Sequence, residues 1–173
     1  MKRRKCKRNA LCLKLEKGNG TVGGMKLLYP VNDTALIPVT VRGIDFDSYA
    51  YRGVAVRVEP DGGAGSFTVE APKLVDDTPE ARDFYFRKSE AQRLIKDSKP
   101  RSSSERDWRS CLTGLRARLT DAQRERFDKE CNKITQGKVI ARASHYEMEK
   151  LLPALASIAY DVDLSGEVVE EDA

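Results

Sequence analysis

The first half of the chain alternates apolar and polar positions with a period of two. Leu11, Leu13 and Leu15 alternate with Cys12 and Lys14, Ile37, Val39 and Val41 with Pro38, Thr40 and Arg42, and Val54, Val56 and Val58 with Ala55 and Arg57. A repeat of two sends successive side chains to opposite faces, which is the pattern of half-buried strands. The runs Met25–Tyr29 and Ser66–Ala71 bring the expected number to about five. Gly18-Asn19-Gly20, Gly23-Gly24 and Pro60-Asp61-Gly62-Gly63 separate these runs, and such residues supply the turn geometry of short antiparallel connections. A small antiparallel sheet or partly closed barrel is expected. Pro38 has no N–H to give a ladder, so its strand is expected at an edge, or to start late.

The period then lengthens. Thr78, Pro79 and Glu80 form a helix start, with proline in the first turn where its missing N–H is not needed. Phe84, Ala91 and Ile95 share one face of that helix, and a polar break follows over Ser98–Ser104. Ser102 with Glu105, Thr120 with Gln123, and Ser144 with Glu147 each have the spacing of a capping box. Behind the three boxes lie three apolar stripes at helical spacing. They are Trp108, Leu112, Leu115 and Leu119, then Phe127, Cys131 and Ile134, then Met148, Leu151, Leu152, Leu155 and Ala159. Gly137 is expected to close the second, and Pro153 to kink or split the third.

The fold class that follows is α+β, an N-terminal antiparallel β-sheet or small barrel of about five strands followed by about four α-helices. The chain divides into a basic flexible arm over residues 1–9, a β-rich part over 10–77, a helical part over 78–160 and an acidic tail over 161–173.

Charge changes the picture more than composition does. The net charge of +4 conceals strong segregation. Lys2, Arg3, Arg4, Lys5, Lys7 and Arg8 place six bases and no acid in the first eight residues. Asp161, Asp163, Glu167, Glu170, Glu171 and Asp172 place six acids and no base in the last thirteen. Residues 9–78 are near neutral, with seven bases and nine acids, whereas residues 79–150 carry eighteen bases and twelve acids. Charge at a terminus is not spent on a core, so it is directed at a partner, at solvent or at the other terminus.

The N-terminal run has the composition of a phosphate-binding arm or a nuclear localisation signal. Arg126, Lys129 and Lys133 share one side of a helix away from Phe127 and Ile134, and add a second candidate phosphate surface. Glu125, Asp128 and Glu130 are interleaved with them, so a helix face laced with ion pairs reads the same way. Phe46, Tyr49, Tyr51 and Phe67 are available to stack single-stranded bases or to plug the core. The acidic tail is placed to cover a basic surface until nucleic acid displaces it, or to recruit a protein partner.

The segment Ile37-Pro38-Val39-Thr40-Val41-Arg42-Gly43-Ile44-Asp45 resembles the first strand of PilZ domains, and Arg4 and Arg8 have the spacing of that family's paired arginines. This resemblance implies a regulatory domain that binds cyclic di-GMP. The second motif would read Glu59-Pro60-Asp61-Gly62-Gly63-Ala64, without the family's serine and final glycine.

Enzymes with common signatures are disfavoured. There is no GxSxG, P-loop or HExxH, and the lone His145 sits beside an expected helix start. Asp45 and Asp47 are spaced to hold a divalent cation or simply to face solvent, and Asp76 and Asp77 favour the dipole of the helix that follows. Cys6, Cys12, Cys111 and Cys131 contain no CxxC pair and read as reduced thiols, with Cys12 on a strand. No run approaches the ~18 apolar residues of a membrane span. The expectation is an intracellular chain, cytoplasmic or in a host nucleus, with no catalytic site, cofactor or metal.

The leading functional expectation is a non-enzymatic nucleic-acid-binding protein, for DNA or RNA, using the basic arm and basic helices, with the acidic tail modulating binding or recruiting partners. The alternative is a viral or phage structural or accessory protein, matrix-like, acting through protein–protein or membrane-surface contacts. Its opposed termini would favour a homo-oligomer. A cyclic-dinucleotide-binding domain is the second alternative.

Overall fold

The computed structural model describes residues 10–16, 22–31, 35–45, 54–63, 65–102 and 104–164. Four strands, β1 (Lys26–Val31), β2 (Ala35–Ile44), β3 (Ala55–Pro60) and β4 (Phe67–Glu70), form one antiparallel sheet in chain order. They are followed by four helices, α2 (Pro79–Ser98), α3 (Glu105–Ala117), α4 (Asp121–Ile134) and α5 (His145–Tyr160). The protein is α+β, with one strand fewer than the sequence pattern suggests.

The missing strand is a helix. Leu11–Leu15, with Cys12, belongs to α1 (Ala10–Glu16). Its sequence ALCLKLE is rich in strong helix formers and has no β-branched residue, so local propensity outweighs a short alternation. Leu11 and Leu15 are four apart and therefore share a helical face as readily as a strand face. Leu11 is fully buried in the sheet's core and Leu15 packs against it. The Asp76 carboxylate accepts the Ala10 N–H at 3.0 and 3.2 Å, satisfying a donor that a helix start leaves open.

The sheet curls round its apolar side. Leu27, Val39, Val41, Val56, Val58 and Val69 form that core with Leu11, Val22 and Leu74. Tyr29 on β1 and Phe67 on β4 belong to opposite edges, yet their rings meet edge to face at 5.3 Å. Edge strands of a flat four-stranded sheet lie roughly 14 Å apart, so this contact requires strong curvature. A bulge contributes. The register passes from Val41–Val58 to Gly43–Arg57, leaving Arg42 as the extra residue that bends the strand.

Pro38 lies on an inner strand rather than an edge. Leu28, its register partner, directs both backbone groups away to Val75 at 2.8 Å, so Leu28–Pro38 is a non-hydrogen-bonded pair. On the other side the β2–β3 register begins only at Val39–Pro60. Pro38 thus stands one residue beyond that ladder and forfeits no rung of it. The Val75 bridge also covers part of the outer edge of β1.

The described residues divide into two compact units between Phe86 and Arg87, inside α2. The core of the second unit comes from the three stripes. Trp108, Leu112, Phe127, Met148, Leu151, Leu152 and Leu155 are essentially excluded from solvent, with Leu115, Leu119 and Cys131 beside them. Burial of each large apolar side chain stabilises by about 1.5–3 kcal/mol. Beside this core, in a partly exposed pair, the Arg116 guanidinium on α3 donates two bonds to the Asp128 carboxylate on α4, at 2.8 and 2.5 Å.

Two of the three capping boxes form in full, Thr120–Gln123 and Ser144–Glu147. The third does not. Helix α3 starts at Glu105 behind Ser104, which makes no side-chain cap, and the Ser102 hydroxyl bonds the Asp107 carboxylate instead. Gly137 donates to the Asn132 carbonyl at 2.9 Å and has φ 84°, and Gln136 before it shares the closing turn with its own positive φ of 53°. Pro153 does not split α5, which continues to Tyr160. Among the described residues no helix is long and apolar enough to cross a membrane.

Candidate nucleic-acid interface

The arm itself, Lys2, Arg3, Arg4, Lys5, Lys7 and Arg8, lies outside the described residues, as do Cys6, Asp47, Phe46, Tyr49 and Tyr51. Its root is described. Asp76 fixes Ala10, and the neighbouring Asp77 takes a two-pronged bond from Arg82 at 2.6 and 2.9 Å, which lowers its carboxyl below the usual carboxylate range. Both acids are therefore committed to structure.

On α4 the three candidate cations lie opposite the buried Phe127 and Cys131, and each one carries a carboxylate. Lys129 bonds Glu125 at 2.7 Å, Lys133 bonds Glu130 at 2.7 Å, and Arg126 reaches Asp161 at 3.2 Å. Lys129 holds the Glu125 carboxyl below its ordinary range, and Arg116 does the same to Asp128. Glu125 and Glu130 are thus partners four and three residues away on one helix, weak exposed pairs, whereas Asp128 is held by Arg116 of α3. The face is laced with ion pairs, and a phosphate must displace a carboxylate to use it.

Asp161 is a special case. It takes the left-handed conformation, φ 51°, that closes α5, and short polar side chains tolerate this better than most. The Arg87 guanidinium donates to the carbonyls of Tyr160 and Asp161 at 3.3 and 3.0 Å and lies 4.0 Å from the Asp161 carboxylate. Gln123 adds a bond to the Ala159 carbonyl at 3.1 Å. The first acid of the C-terminal run is therefore seated between two arginines.

The uncompensated charge lies away from the three α4 cations. Among the described residues Lys96, Arg101, Arg106, Arg118, Arg142 and Lys150 have no carboxylate partner. For Lys96, Arg106 and Arg142 the signal was present, since none has an acid three or four positions away. Lys150 instead lies 4.0 Å over the ring of Tyr146, a cation–π contact. Tyr146 is 65% exposed. Phe67, by contrast, is half-buried against Tyr29 in the sheet's core and is no stacking platform.

His145 occupies the first turn of α5, half-buried, its ring edge to face with Trp108 at 5.4 Å. The Trp108 indole Nε1 has no hydrogen-bond acceptor among the described residues. Asp45 accepts from the Thr68 hydroxyl and lies 3.8 Å from Arg57. Cys12, Cys111 and Cys131 form no disulfide among the described residues, and burial pushes the latter two above the usual thiol range, away from thiolate chemistry.

The cap of α5 makes stability pH-dependent. Glu147 accepts the Ser144 N–H at 2.7 Å and the Lys138 ammonium at 3.0 Å. These bonds, the backbone one foremost, hold its carboxyl at about 2 rather than 4.5. A depressed carboxyl stabilises fully above its unfolded value and loses that contribution as pH falls through the folded one. Glu147→Gln should keep the box, as Gln123 does in the other helix, but lose the charge. Its melting temperature should fall below wild type near neutrality, and the gap should close as pH drops from 4.5 towards 2. A gap that stays constant across that window would assign the Glu147 contribution to packing.

No known protein-family model, curated protein or solved structure matches this chain.

Proposed function

We propose that the chain is a non-enzymatic nucleic-acid-binding protein whose basic arm and helical unit hold phosphate, and whose acidic C-terminal run competes for the same cations. One observation supports this above the others. Asp161, which opens the acidic run, sits on Arg126 and Arg87. Residues 87–164 carry seventeen bases against twelve acids, so the helical unit stays positive after its internal pairs are made. A polyanion is the natural counterpart of such a surface, and its binding releases condensed counterions.

Asp161→Asn tests the competition, because asparagine keeps the left-handed cap and removes the charge. Freed of one exposed ion pair, the variant should bind labelled DNA or RNA about 1.5- to 5-fold more tightly at low salt. Removal of residues 165–173, which takes Glu167, Glu170, Glu171 and Asp172 together, should tighten binding further. No mobility shift by any of these proteins at low salt would sink the proposal, and equal affinity of all three would remove the competing role of the tail.

A further inference from the structure

From the surface at the start of α5 we infer that the nucleic acid is single-stranded, with one base stacked on Tyr146 and adjoining phosphates held by Lys150 and Arg142. This rests on the nucleic-acid reading and names its substrate class. Large apolar side chains of the helical unit are otherwise drawn into its core, yet Tyr146 is 65% exposed and Val139 62%. The Lys150 ammonium lies 4.0 Å above the Tyr146 ring, so the solvent-facing remainder of that ring is a flat aromatic surface beside a fixed positive charge. Arg142 ends the short 3-10 helix Ile140–Arg142, three residues before α5, and is exposed with no carboxylate partner among the described residues.

The acids of this segment are already committed. Glu147 closes the cap of α5 with Ser144 and bonds Lys138, and Glu149 bonds Lys99 at 3.0 Å. Lys150 and Arg142 therefore keep their charge for an external anion, which the paired cations of α4 do not. An aromatic face with Lys150 on its ring and Arg142 four residues before it in the chain fits a stacked base with adjoining phosphates, and such stacking is tolerant of sequence. A duplex offers no free base face, so its ladder of phosphates would engage the cations and leave the ring unused. An anionic membrane would meet the same charges, but Tyr146 and Val139 are the only two large apolar side chains exposed on this segment, a small anchor for a lipid surface.

The test uses the full chain with labelled oligo-dT and oligo-U of about 20 nucleotides, longer than the ~4–16-nucleotide footprints of such surfaces. A duplex of equal length and vesicles containing phosphatidylserine complete the set. Tyr146→Leu should weaken binding to both single strands by about 5- to 150-fold and leave duplex binding unchanged, since one stacked base is worth ~1–3 kcal/mol. Tyr146→Phe should restore the single-strand affinity. Neither should alter the salt slope, whereas Arg142→Gln and Lys150→Gln should each lower its magnitude by about 0.7 on single strands. Wild-type binding to single strands that Tyr146→Leu leaves intact overturns the inference alone. So does equal loss on duplex, or vesicle binding that depends on Tyr146 without single-strand binding. No binding of wild type to any nucleic acid at low salt overturns the nucleic-acid reading itself.

Discussion

Replacing Phe127 by alanine should unfold the helical unit at denaturant concentrations where the curled sheet is still folded. Phe127 is fully buried on α4 among Trp108, Leu112, Met148, Leu151 and Leu155. Truncation removes its transfer free energy and leaves a cavity that a core of helices closes only in part, at a cost of about 3–5 kcal/mol. Against a typical total of about 5–15 kcal/mol, that is a large fraction. The two hydrophobic clusters share no residue, so the loss falls on one of them. The measurement has a built-in reporter, because the single tryptophan, Trp108, lies in the helical core. Trp108 emission should shift at lower denaturant than in wild type, while backbone amides of β2 and β3 remain protected from hydrogen exchange. A single transition, shared by fluorescence and by the strand amides in both proteins, would show that the two cores unfold as one.

The helical core was the most legible part of the sequence. Trp108, Leu112, Leu115 and Leu119 are all buried, as are Phe127 and Cys131, because a stripe at 3.6-residue spacing has one way to leave water. Shorter patterns were less secure. Leu11, Leu13 and Leu15 alternate like a strand, but three residues cannot separate a period of two from two positions four apart, and only the burial of Leu11 against the sheet decides it. Pro38 misled for another reason. Its exclusion from inner strands holds only where the ladder needs its N–H, and the register ends one residue away. The Ser102–Glu105 spacing was formally correct, yet Asp107 captured the serine first. A motif names the groups able to bond and leaves open which competitor arrives.

The charged surface was legible as composition and opaque as geometry. Arg126, Lys129 and Lys133 share a helix side as the spacing implies, but whether a cation is free depends on side-chain pairing that no count of bases reveals. Glu147 shows the converse. It stands three residues before Lys150 and would be its partner on an isolated helix, but the cap and Lys138 hold it elsewhere. Lys150 turns to Tyr146 instead. Local bonds at a helix start thus decide which cations are exposed to a ligand a turn later.

Deleting residues 1–8 should flatten the salt dependence of duplex binding far more than removing the α4 cations does. The deleted segment holds six bases and no acid. Six neutralised phosphates give a slope of log affinity against log salt of about −5, equivalent to a loss of roughly 10³-fold between ~50 and ~200 mM salt. Without the arm, the slope should become shallower by about that amount. Neutralising Arg126, Lys129 and Lys133 together would change it by about 3 if all three were free, at ~0.9 for each phosphate. They are not free. Each must surrender Asp161, Glu125 or Glu130 to reach a phosphate, and the released carboxylate then repels the same phosphate. The triple glutamine variant should therefore change the slope by well under 3 and, with its acids uncompensated, weaken binding chiefly through repulsion. A slope untouched by deletion of the arm would transfer the phosphate contacts to the helical unit. In that case Lys96, Arg101, Arg106, Arg118, Arg142 and Lys150, which have no carboxylate partner among the described residues, become the set whose substitution must account for the whole slope.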